Sequence, residues 1–315
     1  MVRIRGATPR DGMQRRPNAD AFRTRDTSPP TALNLRVFDC HIHIQPWEQL
    51  HPSVLETMIR GRSDRERLER VLAEPAELLR LLDEEEVERA ALINYVAPDV
   101  MGFDESVNEW VSRYVAGNTD RLVAVGSVHP RRTKDARGDT ARLFEKLGIR
   151  LLKIHPPHQA FAANAYLSGD DALADVYRTA EEHGRPVMIH TGTSIFPGAR
   201  NRFADPMAVD DVAVDFPRLP IVLAHAGRPL YMDTAVFLVR RHPNVHLDLS
   251  GIPPKKLLEY LPRLEEISDR CLWGTDFPSP GIASMRKNAE DFRALPLSDS
   301  AKRRILFDNG AALIR

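Results

Sequence analysis

Four histidines and one aspartate occur where short apolar segments of the chain end. They are His41 and His43 in FDCHIHI, His190 in RPVMIHTG, His225 in LPIVLAHAGRP and Asp276 in RCLWGTDFP. In a strand, alternate residues such as His41 and His43 project to the same face, about 6.6 Å apart, so one cation can bind both imidazoles. Imidazoles and a carboxylate are typical ligands of a divalent metal, and the pattern therefore predicts a metal-centred enzyme.

From Leu35 onward, strand-like apolar segments alternate with amphipathic helical ones. The eight predicted strands are LRVFDCHI, VERAALIN, RLVAVGSV, IRLLKIH, RPVMIHT, PIVLAHA, NVHLDLS and RCLWGTD. This alternation predicts an α/β fold, a closed (β/α)8 TIM barrel over residues 35–315. Active sites of such barrels lie at the carboxyl ends of the strands, where the five residues above fall together with Lys153 and His155.

Two stretches depart from the alternation. Residues 47–74 form an insertion after the first strand that is longer than a usual βα loop. We expect it to overhang the mouth of the barrel as a lid, with a simple surface hairpin as the alternative. The first 36 residues hold eight Arg and three Asp but no Lys or Glu. Because this stretch is polar and aperiodic, residues 1–34 are predicted to be a basic, disordered or extended arm outside the catalytic domain.

The composition argues against several classes of partner. In the 315 residues, 44 Lys and Arg balance 44 Asp and Glu, so the net charge is zero. This balance argues against nucleic acid or an anionic membrane as the main partner, and no apolar run reaches the length of a membrane span. Cys40 and Cys271 are too few for a disulfide framework. We therefore expect a cytoplasmic protein that acts on a small molecule.

The motifs around these residues resemble the amidohydrolase superfamily. The His-x-His pair on the first strand, the single His ending strands 5 and 6, and the Asp ending strand 8 are similar to its site, and KIHPP, MIHTG, LAHAGRP and WGTDFPSP resemble its amidohydrolase-2 branch. That branch includes aminocarboxymuconate-semialdehyde decarboxylases beside lactone and amide hydrolases. The resemblance implies one metal, Zn²⁺ first and Mn²⁺ as an alternative, held by His41, His43, His190 and Asp276. It also implies His225 as the acid/base catalyst, and a homodimer.

Three further residues have less specific roles. In binuclear relatives, a lysine on the fourth strand is carboxylated and bridges two metals, and Lys153 stands at this place. With the single metal usual in the amidohydrolase-2 branch, Lys153 or His155 would instead contact the substrate or form a buried ionic contact. Asp39 shares its strand face with His41, and we predict that it holds a histidine tautomer from behind the metal.

Substrate recognition is expected from the loops. Arg200 and Arg202 follow strand 5, and Arg228 follows strand 6. A guanidinium near the metal would bind a substrate carboxylate through two parallel hydrogen bonds, and Arg228 is the first choice because it follows His225 by three residues. Trp47, four residues after His43, is predicted to be an aromatic wall of the pocket.

The resemblance implies a metal-dependent hydrolase of a small amide, lactone or related cyclic substrate. The carboxylate of Asp276 would accept a proton from a metal-activated water. The alternative is a non-oxidative decarboxylase of an aromatic or unsaturated carboxylic acid. Resorcylate-type decarboxylases tend to have Glu at the place of His41, which disfavours them, whereas the muconate-semialdehyde type retains His-x-His. A third alternative is a catalytically inactive barrel that serves as a binding or scaffold protein. It is disfavoured because every expected metal-binding residue is present.

Overall fold

Eight short apolar segments form one parallel sheet whose strands follow the order of the chain. The computed structural model describes residues 35–315, so the predicted basic arm at 1–34 lies outside the described residues. The strands are β1 Phe38–Ile42, β2 Arg89–Ile93, β3 Leu122–Gly126, β4 Leu151–Ile154, β5 Val187–His190, β6 Ile221–Ala224, β7 Val245–Asp248 and β8 Cys271–Leu272. Each lies within a predicted strand, and the predicted TIM barrel is confirmed.

The barrel closes between β8 and β1. The amide of Cys40 donates to the carbonyl of Trp273 over 2.9 Å, and the amide of Asp276 donates to the carbonyl of His41 over 2.8 Å. The amide of His43 continues the ladder to Phe277 O at 2.6 Å. The His-x-His segment and the segment of Asp276 are therefore joined by backbone hydrogen bonds, which fixes their relative position.

Helices accompany the strands of the barrel. They are α1 Pro52–Ile59, α2 Arg65–Ala73, α3 Pro75–Glu84, α4 Val107–Val115, α5 Ala136–Glu145, α6 Pro156–Gln159, α7 Asp171–Glu182, α8 Ala208–Asp215, α9 Met232–Arg241, α10 Leu257–Tyr260, α11 Met285–Arg293, α12 Asp299–Arg303 and α13 Asn309–Leu313. Apart from those such as α1 and α6 that contribute to the central cavity, they cover the outside of the barrel. Helix α13 approaches β1 closely at Gly310, where a β-carbon would lie 2.5 Å from Cys40 Sγ. Cys40 thus faces the helices, as its alternation with His41 requires. Within residues 35–315, no helix has the length and apolar character needed to cross a membrane.

The predicted insertion after β1 forms α1 and α2, preceded by a 3₁₀ turn at Trp47–Gln49. Leu50 and Met58 of this insertion line the central cavity, so the insertion covers part of the mouth of the barrel. Arg62, between the two helices, donates from Nη1 to the carbonyl of Pro278 at 2.9 Å and to that of Ile282 at 3.4 Å. These bonds tie the insertion to the loop that follows β8.

Candidate metal centre and its cavity

Three potential metal ligands meet where β1 and β8 end. His41 Nε2 and His43 Nε2 lie 3.2 Å apart, and Asp276 Oδ1 lies 3.1 Å from His43 Nε2 and 3.6 Å from His41 Nε2. Asp276 has a φ of +72°, a left-handed conformation that is uncommon for a residue other than glycine and is often found at functional sites. Two imidazole nitrogens and a carboxylate oxygen at this spacing form a donor set that suits a divalent cation.

His190 ends β5 and lines the same cavity. Its Nε2 is buried and has no hydrogen-bond partner among the described residues. A buried polar nitrogen without a partner is costly, and a metal ion would satisfy it. Its donor atom is not among the three that converge within 4.8 Å, so the structure brings three of the four predicted ligands together and places the fourth on the same cavity.

Asp248, at the end of β7, holds the far side of the His41 ring. Its Oδ2 lies 2.5 Å from His41 Nδ1, and both side chains are fully buried. A carboxylate that accepts from Nδ1 leaves Nε2 free to bind a metal. Asp248 was not singled out from the sequence, although it ends its strand as the other site residues do. The same positional rule would have found it.

The prediction for Asp39 differs from the structure. Its Oδ2 accepts from Thr275 Oγ1 at 2.6 Å, and its Oδ1 accepts from the backbone amides of Thr275 at 3.0 Å and His41 at 3.1 Å. Burial raises the pKa of Asp39 to about 7. Because Asp39 and His41 are two residues apart on β1, the sequence correctly placed the Asp39 side chain inside the barrel. It did not predict the hydrogen-bond partner, which is Thr275 after β8 and not an imidazole.

His225 follows β6 with a φ of +64°. Its Nδ1 lies 3.1 Å from the carbonyl oxygen of Ser250. Because a carbonyl only accepts, Nδ1 carries the proton in the neutral ring and Nε2 is a free acceptor. Burial, together with the charge of Arg228, holds the pKa of His225 well below its usual value. A neutral imidazole on the cavity wall is thus available to accept a proton.

Arg228 lies next to Asp276 on the cavity wall. Its Nη2 is 3.4 Å from Asp276 Oδ2, and its backbone carbonyl accepts from the Thr193 amide at 2.9 Å. Burial alone would raise the pKa of Asp276, but the hydrogen bond with His43 and the charge of Arg228 lower it overall. Asp276 is therefore an ionised carboxylate.

The cavity has a volume of about 210 Å³ and contains further unpaired nitrogens. Lys153 Nζ, Gln45 Nε2 and Arg228 Nε are buried without partners among the described residues. Burial lowers the pKa of Lys153 to about 8, although the charges of Asp248 and Asp276 oppose this shift. Donors that have no acceptor in this described region indicate a ligand rich in acceptor oxygens.

His155 lies in a column of stacked rings beside these donors. Its centroid is 3.5 Å from that of His158 and 3.8 Å from that of His190. His158 in turn lies 3.1 Å from Tyr95 Oη through Nδ1 and 2.7 Å from Ser194 Oγ through Nε2. The sequence motif KIHPPH thus builds one side of the cavity, although it did not reveal the contribution of Tyr95 from the end of β2.

Three residues predicted to bind substrate do not line this cavity. Trp47 begins the 3₁₀ turn and borders a separate groove formed with residues such as Leu55, Leu72 and Trp110. Arg200 and Arg202 are exposed, and Arg202 lies over the ring of Phe203 with its Cζ 4.7 Å from the centroid. The loop after β5 instead contributes its first residues, Thr193–Phe196, to the cavity.

Several solved structures share this fold. A TIM-barrel protein from Bordetella bronchiseptica, described as uncharacterized, superposes with a TM-score of 0.70 at 21% identity, covering 89% of this chain and 98% of that one. A 5-carboxyvanillate decarboxylase from Novosphingobium aromaticivorans, complexed with manganese and 4-hydroxy-3-methoxy-5-nitrobenzoic acid, gives 0.60 at 13%, covering 89% and 95%. A probable 2-pyrone-4,6-dicarboxylic acid hydrolase from Acinetobacter baumannii gives 0.61 at 16%, covering 89% and 99%.

At these identities the likeness establishes the fold rather than the reaction. No curated protein sequence matches this chain significantly. The family model described as Amidohydrolase, however, matches residues 38–315, which include all of the cavity residues discussed above. The chain therefore belongs to the amidohydrolase family, in its amidohydrolase-2 branch.

Proposed function

We propose that this protein is a metal-dependent hydrolase of a small amide, lactone or related cyclic substrate that carries a carboxylate. The observation that supports this proposal is the convergence of His41, His43 and Asp276 at a cavity that is lined by His43, Asp276 and the neutral His225. His41, His43, Asp276 and His190 would hold the metal. When bound, a divalent ion such as Zn²⁺ or Mn²⁺ polarises a carbonyl and makes water a stronger acid.

Asp276 and His225 divide the proton transfers in this proposal. Asp276 is ionised, and among residues 35–315 its Oδ2 has only the 3.4 Å contact with Arg228, so it can take a proton from the attacking water. His225 presents an unprotonated Nε2, since its Nδ1 donates to Ser250 O. His225 would accept this proton from Asp276 and deliver it to the leaving nitrogen or oxygen, while the second hydrogen of the water stays with the new carboxyl group. Both residues then regain their starting states.

The cavity supports a substrate with an anionic group. Arg228 and Lys153 supply cationic donors without a full set of protein acceptors, while Leu50, Met58 and Phe196 supply apolar walls. A guanidinium binds a carboxylate strongly through charge-assisted hydrogen bonds. These features favour a compact molecule with one apolar face and a carboxylate.

Non-oxidative decarboxylation is a second candidate. It is favoured by the fold likeness to 5-carboxyvanillate and 2,6-dihydroxybenzoate decarboxylases and by the same cationic donors, which would bind the carboxylate that is lost. In that reaction His225 or Asp276 would first take up a proton from solvent and then deliver it to the carbon that loses CO₂.

The two reactions can be separated with one substrate panel. Zinc- and manganese-loaded enzyme is incubated in H₂¹⁸O with small lactones, cyclic amides and aromatic carboxylic acids, and both CO₂ and the mass of the products are measured. The proposal predicts ¹⁸O in a new carboxylate and no CO₂. Release of CO₂ together with an organic product that contains no ¹⁸O would show that the reaction is decarboxylation and not hydrolysis. His43→Ala is the control, because activity that it retains in full does not arise at this centre.

A further inference from the structure

The hydroxyl of Ser250 lies between the rings of two histidines that have different proposed roles. Ser250 Oγ is 3.1 Å from His41 Nδ1 and 3.0 Å from His225 Nδ1. It also lies 2.8 Å from Asp248 Oδ2, which itself contacts His41 Nδ1. All four side chains are buried, so water does not compete for these bonds.

The chemistry of the groups decides where the hydrogens lie. A carboxylate only accepts, so Ser250 Oγ–H donates to Asp248 Oδ2, and His41 Nδ1–H donates to the same oxygen. The lone pairs of Ser250 Oγ then remain to accept from His225 Nδ1–H, which the carbonyl of Ser250 also accepts at 3.1 Å. The backbone amide of Ser250 donates to Asp248 Oδ1 at 2.9 Å and holds the carboxylate in this orientation.

We propose that Asp248 and Ser250 form a shared positioning pair that fixes the Nδ1–H tautomer of both His41 and His225. Both rings thereby keep Nε2 unprotonated. The Nε2 of His41 faces His43 and Asp276, and the Nε2 of His225 is available to the cavity. Metal binding and proton transfer then depend on the same two residues of the β7 segment. This inference rests on the proposed metal centre, but its consequences for the metal do not depend on which substrate is used.

The two members of the pair should contribute unequally. Asp248 makes the direct contact with His41, whereas loss of Ser250 Oγ leaves both that contact and the carbonyl that accepts from His225. Changing a residue that orients a metal ligand commonly weakens metal binding by about 10- to 100-fold. We expect Asp248→Asn to weaken zinc binding by about this factor and Ser250→Ala to weaken it less. Neither substitution adds volume, so both should preserve the fold.

Asp39→Asn is the matched control. Asp39 is a second fully buried carboxylate beside His41, but within the described part of the chain it accepts only from Thr275 and from the His41 backbone amide. A loss of zinc affinity that arose merely from disturbing a buried aspartate would appear equally in Asp39→Asn. A loss of zinc affinity that arises because the His41 ring is no longer held in place would appear in Asp248→Asn and not in Asp39→Asn.

The test measures zinc affinity by competition with a fluorescent chelator, the visible spectrum of the Co²⁺-loaded protein, and the ¹⁵N shifts of the imidazoles in the zinc-loaded protein. The inference predicts protonated Nδ1 on His41 and His225, a changed Co²⁺ spectrum in Asp248→Asn, and affinities that fall from wild type and Asp39→Asn through Ser250→Ala to Asp248→Asn. Asp248→Asn that binds zinc as tightly as wild type, or no more weakly than Asp39→Asn, would overturn the inference alone. A wild-type protein that binds no metal would overturn the proposed centre as well.

Discussion

Arg228 reaches Asp276 because residue 251 is a glycine. The Nη2 of Arg228 lies 3.4 Å from Asp276 Oδ2, and a β-carbon on Gly251 would lie only 2.5 Å from that same Nη2. Gly251 also has a φ of +66°, which disfavours other residues. The glycine of the LSGIPP segment therefore creates the space in which the guanidinium lies beside the proposed metal centre.

Gly251→Ala should displace the Arg228 guanidinium and weaken substrate binding. Loss of a charge-assisted hydrogen bond of about 1.5–3 kcal/mol predicts a rise in KM of about 10- to 100-fold for a carboxylate substrate. Steady-state kinetics on the substrate found by the panel would measure it. The matched control is Gly148→Ala, which has the same φ of +66° but no atom of residues 35–315 within 4 Å of the new carbon. If both variants show the same KM, the space at Gly251 does not serve Arg228.

Arg62 is expected to hold the insertion over the mouth of the barrel. Its side chain is only 9% exposed and bonds the carbonyls of Pro278 and Ile282. Arg62→Ala should increase hydrogen exchange of the amides in α1 and α2 by about 10- to 100-fold, since hydrogen bonds from a charged group contribute about 1.5–3 kcal/mol. Exchange measured by mass spectrometry would detect it.

Arg60→Ala is the control for this variant. Arg60, which directly follows α1, is 71% exposed and forms an ion-pair contact at 3.7 Å with Glu56 of that helix. Its substitution should leave exchange in α1 and α2 close to that of wild type. Equal exchange in the two variants would argue against a specific role for Arg62.

His129, which follows β3, should make the protein less stable in mild acid. Burial, with the charge of Arg132, lowers its pKa from 6.5 to about 4. Between these values the unfolded chain binds the proton and the folded chain does not, so this contribution to stability is lost as the pH falls from 6.5 toward 4. Urea unfolding at several pH values should therefore give a shallower decline for His129→Gln than for wild type. Parallel curves would show that His129 is not a source of the decline.

The positions of residues at strand ends could be predicted from the sequence, but their partners could not. His190, His225 and Lys153 all line one cavity because the carboxyl ends of parallel strands meet there. Asp39 lies inside the barrel as its parity requires, yet it bonds Thr275 because β8 lies against β1. Such a partner depends on side-chain packing between strands far apart in the sequence.

Residues on loops were harder to predict. Arg200 and Arg202 follow β5 in the sequence as Arg228 follows β6, but only Arg228 lines the cavity. The difference arises from the loop backbone, because Arg228 O is held by the Thr193 amide while the later part of the β5 loop is exposed. No periodicity determines such a path, and Trp47 lies outside the cavity for the same reason.

Metal content and turnover measured together on His190→Ala and His225→Ala test the division of roles among the cavity histidines. If His190 binds the metal and His225 transfers protons, His190→Ala should lose both metal and turnover. His225→Ala should retain about one metal ion per chain and lose about 10²- to 10⁴-fold in kcat, the usual contribution of an acid/base group. Loss of metal from His225→Ala, or full metal content in His190→Ala, would contradict this division of roles.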